Sequence, residues 1–263
     1  MENIEIVTLA SGSSGNMTYI RVGNTRITID AGISCRAIEK GLDSIGVSPS
    51  QLDAVFVTHE HSDHIRGLPV FTKKHPMPVH AAGQTAEHTV CTGDCLVAHS
   101  PLYSEDIGEI TVSSFVTPHD SLCSVGYIIT ANNITDGDSP LKIGFATDLG
   151  YVSGETEELL RECRYVVLES NHDRRMLETG PYPDYLKQRI LSSTGHLSNV
   201  DCAACIQRLA SGNVRGIVLA HLSEENNRPE LALIESTDAL DRIGMFGKVE
   251  LKVAARSEAV RLI

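Results

Sequence analysis

Six apolar runs in this chain each end in a histidine or a carboxylate. TRITI runs into Asp30, AVFVT into His59, SFVTP into His119, KIGFAT into Asp148, YVVL into Glu169 and GIVLA into His221. The runs are short, rich in β-branched residues and separated by helical patterns, which predicts an α/β layered fold. In such folds ligands gather at the carboxyl ends of the strands. Ser, Gly and Asn start loops equally well, so six groups of metal-ligand type closing six runs point to one shared site.

The remaining pattern fills in this frame. Strands are expected over 4–10, 17–23 and 25–30, with Gly23 and Asn24 forming a hairpin turn. A helix over 34–45, a strand over 54–59, a helix near 65–74 and a strand over 78–82 follow. Strands over 110–119 and 124–130 lead into Asn132–Pro140, which reads as a turn-rich loop. The rest alternates: strand 141–148, helix 153–163, strand 165–170, helices near 184–192 and 199–210, strand 216–221, helix 229–243, strand 248–253. The 132–140 loop invites a domain boundary, but candidate site residues lie on both sides of it, so residues 1–263 read as one domain.

Composition sets the class. With 41% hydrophobic residues the chain can bury a core, which excludes disorder. No apolar run approaches the ~20 residues of a membrane-spanning helix, so no membrane partner is expected. The opening MENIEIVTLASG carries acid where an export signal carries base, and the seven cysteines form no paired framework. Both features predict a cytoplasmic protein with reduced thiols. The net charge of −12 argues against passive coating of nucleic acid. It leaves room for a local basic groove, for which Arg66, Lys73, Lys74, Arg174, Arg175, Lys187 and Arg189 are candidates. Cys202 and Cys205 lie in a helical pattern and read as core. His88, Cys91, Cys95 and His99 have zinc-type side chains without zinc-type spacing. His75 and His80, like His88 and His99, read as structural or surface residues.

The densest chemistry is THEHSDH, residues 58–64. In an extended segment residues i and i+2 point the same way, so His59 and His61 can grip one ion. A turn then brings Asp63 and His64 toward a second position. Adding His119, Asp148 and His221 gives five His and two Asp, more donors than one ion uses. Two divalent ions about 3.5–4 Å apart, bridged by a carboxylate, would use them all. Imidazole suits zinc, while the carboxylates admit manganese or iron. Asp30 is expected behind the donors, orienting a histidine through its other ring nitrogen. Ser11–Asn16 is a short polar loop that can serve as a phosphate nest or as an ordinary turn.

These residues resemble the metallo-β-lactamase superfamily: THEHSDH follows two hairpin-linked strands and IDAG, with the downstream His and Asp at strand ends. The resemblance covers essentially the whole chain and implies a four-layer αββα sandwich with a binuclear site at one edge. It implies that His59, His61 and His119 hold one metal, that Asp63, His64 and His221 hold the other, and that Asp148 bridges them. Within the superfamily, LASGSSGN (9–16), ATDLG (146–150), LESNHD (168–173), GHLSN (195–199) and LAHLSEENN (219–227) resemble the WalJ/YycJ-like (VicX) exonuclease group. That group is similar in turn to the transfer-RNA 3′-processing nucleases, in which a Glu and a His outside the metal donors act on the leaving group. Glu169 and His196 match those positions. With Asp63 they are the catalytic candidates. Asn16, Ser14, Asn171 and His172 are the candidates for substrate contact, with Asn171 and His172 open to a supporting role behind the donors. The absence of a bridging cysteine disfavours a true β-lactamase. The 73 positions from Asp148 to His221 (221 − 148) leave no room for the extra domain of the cleavage-factor nucleases.

The expected function is a binuclear metal-dependent phosphodiesterase, a DNA exonuclease working 5′ to 3′, with DNA favoured over RNA. The alternative is a small-molecule metallohydrolase such as a cyclic-nucleotide phosphodiesterase, which the net acidity favours. A non-enzymatic metal protein is disfavoured, because a structural site needs neither an open position nor His196 and Glu169 beside it. A homo-oligomer is compatible with the sequence.

Overall fold

The computed structural model describes residues 4–137 and 139–263. Its first half runs β1 (Ile4–Ala10), β2 (Met17–Val22), β3 (Thr25–Ile29), α1 (Cys35–Ser44), β4 (Ala54–Phe56), α2 (Ser62–Ile65), α3 (Leu68–Lys74), β5 (Val79–Ala82), α4 (Gly83–His88) and β6 (Leu96–His99). The second half runs β7 (Ser104–Ile107), β8 (Ile110–Val116), β9 (Val125–Asp136), β10 (Ser139–Ala146), α5 (Gly154–Arg161), β11 (Tyr165–Glu169), α6 (Arg174–Thr179), α7 (Asp184–Ile190), α8 (Asn199–Leu209), β12 (Gly216–Ala220), α9 (Pro229–Arg242), β13 (Glu250–Val253) and β14 (Val260–Arg261).

The strands form two seven-stranded mixed sheets, ordered β14-β1-β2-β3-β4-β5-β6 and β13-β12-β11-β10-β9-β8-β7. Each begins with antiparallel strands and becomes parallel toward the far edge, β3 to β6 in one and β10 to β13 in the other. Parallel neighbours need crossovers, and the helices supply them on the outer faces. The inner parallel strands β4, β5, β11 and β12 are therefore buried on both sides. In β12, Val218 and Ala220 face the core between the sheets, while Ile217 and Leu219 face the core under the helices. That explains why β11 and β12 read as unbroken apolar runs rather than alternating ones. The result is the expected αββα sandwich, with its inner core around Ile6, Phe56, Tyr127 and Val167.

Three expectations are corrected. The 54–59 strand stops at Phe56, because the chain leaves the sheet to place His59. The helix near 65–74 is two helices separated at Gly67, whose N–H donates to the Ala31 carbonyl at 2.8 Å. A Cβ there would lie 2.2 Å from the Ile33 carbonyl oxygen, so only glycine allows this approach. Residues 132–140 are not a loop: β9 runs on to Asp136 and pairs with β10 from Ser139, Pro140 opposing Thr135. This arm projects from the sandwich and is largely exposed, so its polarity reads as loop although its backbone is paired.

Candidate functional site

The polar residues closing the apolar runs meet at one edge of the sandwich. Asp30, His59, His119, Asp148 and His221 lie within three residues of the ends of β3, β4, β8, β10 and β12, and Glu169 is the last residue of β11. Asp30, Asp148 and His221 leave their strands with φ of 62°, 56° and 57°, the positive values found at non-glycine positions among the described residues. Such backbone costs roughly 1–3 kcal/mol per residue and persists only where surrounding contacts over-determine it. Here His221 N–H donates to Ser11 Oγ at 2.7 Å and Asp30 N–H donates to the Phe56 carbonyl at 2.8 Å.

Two donor triads result. His59, His61 and His119 have ring nitrogens within 4.8 Å of one another, as do the donor atoms of Asp63, His64 and His221. Asp148 stands between them: Oδ2 is 3.4 Å from His64 Nε2, and Oδ1 is 3.5 Å from His221 Nε2 and 3.9 Å from His119 Nε2. His59 Nε2, His221 Nε2 and Asp148 Oδ2 are buried with no hydrogen-bond partner. Burying unpaired polar atoms costs about 1–3 kcal/mol each. Imidazole nitrogens and carboxylate oxygens aimed at common points are the donor set of a divalent cation, so these residues fit one.

The charges around the triads point the same way. Burial disfavours a charged His64, but the Asp30 and Asp148 carboxylates outweigh it and hold the ring well above its ordinary pKa. Burial is likewise outweighed at His221, which Asp148, Asp63 and Glu169 raise to about 10. Burial, then His64, His119 and His61, push His59 well below its ordinary value. The carboxylates thus demand positive charge at the centre of the cluster. A proton or a metal ion meets that demand, and metal binding to such histidines releases protons.

A ring of hydrogen bonds fixes the donors from behind. Asp30 Oδ2 lies 2.7 Å from His64 Nδ1, and Asp30 Oδ1 accepts from Thr58 N–H at 2.8 Å. Thr58 Oγ1 also reaches His59 Nδ1 at 3.0 Å. Glu169 Oε1 accepts from His196 Nδ1 at 2.8 Å and lies 3.0 Å from His221 Nδ1, while Oε2 accepts from Leu149 and Leu197 N–H. Burial opposes ionisation of Glu169, yet His196 and His221 keep it below the usual carboxylate range. In return Glu169 overcomes the desolvation of His196 and raises it above its ordinary value. His196 thereby keeps its second nitrogen for the cavity that it lines.

That cavity, about 260 Å³, brings together His61, Asp63, His119, Asp148, His196 and His221. Asn171 also lines it, and its Nδ2 donates to the His221 carbonyl at 2.8 Å. Asn16 is buried against the donors instead, with Nδ2 3.1 Å from His64 Nε2. His172 does not line the cavity: it is buried, with both ring nitrogens unpartnered and its pKa lowered by burial to about 4. In the turn closed by Gly15 N–H on the Gly12 carbonyl, Ser13 lines the cavity and Ser14 lines the neighbouring groove. Of the cations expected to form a basic groove, Arg189 lines the cavity, paired with Asp120. Arg174 is paired with Asp201 and Lys74 with Glu39. Cys202 and Cys205 are core, and no donor cluster among the described residues contains His88, Cys91 or Cys95.

The sequence reading gave no role to Thr58, Glu60 or Asp120, and took Ser11 only as part of a polar loop, not as the acceptor for His221 N–H. Glu60 accepts from Leu122 N–H at 2.9 Å and from Thr85 Oγ1 at 2.8 Å, tying the His59–His64 loop to the His119 loop. Its signal was present, since the i, i+2 alternation that aligns His59 with His61 turns Glu60 to the opposite side.

Comparison with known proteins places this geometry in context. The family model for the β-lactamase superfamily domain matches residues 25–222. The chain is 36% identical over 246 residues to the exodeoxyribonuclease YycJ of Bacillus anthracis, covering 91% of this chain and 89% of that protein. It is 35% identical over 252 residues to the exodeoxyribonuclease WalJ of Streptococcus pneumoniae, covering 93% and 91%. The metallo-β-lactamase fold protein YhfI of Bacillus subtilis superposes with a TM-score of 0.72 at 16% identity, over 98% of this chain and 99% of that one.

Proposed function

The chain belongs to the β-lactamase superfamily, alongside the exodeoxyribonucleases YycJ and WalJ, and on that premise we propose that it is a metal-dependent exonuclease that shortens DNA from its 5′ ends. One observation carries the reading: members of both donor triads line a cavity together with His196, which belongs to neither triad and is held by Glu169 at 2.8 Å. A hydrolase needs that combination and a storage site does not. Residues 1–263 act as one domain in this reading.

In this reading His59, His61 and His119 would hold one divalent ion and Asp63, His64 and His221 a second, with the Asp148 carboxylate available to both sets. Zinc and manganese suit the donors best, and iron is compatible with them. Bound there, the ions supply charge against the phosphate and acidify a water. The chain's own groups do the rest. Asp63 faces the cavity as a carboxylate and accepts a hydrogen bond from the attacking water, orienting it. His196 carries a proton at Nε2 toward the leaving oxygen, while Glu169 holds Nδ1 and stabilises the charged ring. Asp30 and Thr58 keep His64 and His59 turned toward the centre.

The test is to incubate zinc- and manganese-loaded protein with end-labelled DNA, with RNA and with cyclic nucleotides. We expect stepwise loss from 5′-labelled DNA. Turnover of cyclic nucleotides with DNA and RNA left intact would replace this reading with that of a small-molecule phosphodiesterase.

A further inference from the structure

One wall of the cavity carries no donor. It is made of Tyr182, Leu186 and Ile190, spaced four residues apart, so that α7 presents Leu186 and Ile190 on one face and Tyr182 stands one turn before them. Tyr182 lies between Pro181 and Pro183. Each proline fixes its own φ, and Pro183 also confines the residue before it to extended backbone. The aromatic ring is therefore held on a stiff segment and loses little freedom on contact with a ligand. Of the seven tyrosines, Tyr19, Tyr103, Tyr127 and Tyr165 are packed in or against the core. Tyr182 is the one that lines the cavity, and the chain has no tryptophan.

We propose that Tyr182, backed by Leu186, is a stacking platform for the base of the terminal nucleotide, whose phosphate lies against the His and Asp donors opposite. The proposal rests on the nuclease reading and narrows it. The cavity, about 260 Å³, lies near the low end for ligand sites, roughly 300 Å³, a size that suits one nucleotide unit at a time. The proposal is made for an unpaired strand end, whose base is free to stack. An aromatic face grips every base alike, so the platform gives affinity without sequence preference. Arg189, one helical residue short of Ile190 and held by Asp120, stands at the same wall for the neighbouring phosphate.

The test is a cycle between side chain and base. Wild type, Tyr182→Ala and Tyr182→Trp, each metal-loaded and checked for metal content, are assayed on two single-stranded oligonucleotides. These differ only in whether the first nucleotide to be released carries its base. On the base-bearing strand Tyr182→Ala is expected to raise KM roughly 5- to 100-fold with kcat little changed, the range that loss of one base stack predicts. Tyr182→Trp is expected to restore KM. On the abasic end wild type and Tyr182→Ala are expected to coincide. Equal losses on both strands, or no loss on either, overturn the platform while leaving the nuclease reading standing. Failure of wild type to degrade any nucleic acid removes both.

Discussion

Asp30, Asp148 and His221 sit on backbone that residues with a Cβ avoid, and all three stand in or directly behind the donor triads. The residue types were legible in the sequence, because each follows an apolar run whose end a layered fold must place at one edge. The left-handed turns that aim them were not, because those turns are imposed by partners far along the chain, such as Ser11 for His221. The same limit explains Ser13 and Ser14: a turn's two central residues face opposite ways, and composition does not say which. His196 was legible in part through its resemblance to a known segment; its partner Glu169 marks its role physically. His196→Gln should lower kcat by about 10²- to 10⁴-fold, the usual contribution of a general acid. Metal content, read by elemental analysis, should stay at the wild-type value. Loss of metal in this variant would make His196 a ligand instead.

At the level of elements, the loop from His59 to His64 is seated on the strand-to-helix turn after β3. Asn16 N–H donates to the Asp63 carbonyl and Ala31 N–H to the His64 carbonyl, both at 2.8 Å. Gly32 lies beneath them, and a Cβ there would stand 1.6 Å from the Asp63 carbonyl oxygen. Gly32→Ala must therefore displace the loop rather than merely crowd it. We expect the variant to fold, to melt several degrees lower, and to bind metal at least tenfold more weakly, about 1.4 kcal/mol. Calorimetric metal titration and thermal unfolding check both. Long elements such as α1, α8 and α9 were readable because their apolar spacing is sustained. The break at Gly67 and the exposed β9–β10 arm were not, because one reflects contact with the Ala31–Ile33 backbone and the other has no core face to give it a period.

Across the whole molecule, the net charge of −12 argues against passive coating of nucleic acid, and the carboxylates gathered at the donor edge call for positive charge there. A second histidine pair lies away from it. His80, stacked on Phe56 with centroids 4.5 Å apart, meets His99 through a 2.9 Å contact between Nδ1 and Nε2. Burial, with His99 adding to it, lowers His80 to about 4. The folded protein then refuses a proton that the unfolded chain accepts below its ordinary value of 6.5. Stability should fall as pH drops from about 6.5 toward 4, by at most about 1.4 kcal/mol per pH unit from this residue. Denaturant midpoints measured across that window should slope less steeply in His80→Phe, and an unchanged slope would acquit His80. The two sheets are also two stretches of chain: residues 4–99 form the first with β14 added, and 104–253 form the second. Each triad takes two members from the first stretch and one from the second, His119 or His221, and Asp148 comes from the second as well. The centre is thus a coincidence detector. A chain severed between His99 and Ser104 would yield two inert fragments whose reunion, latched by β14 on β1, switches activity on.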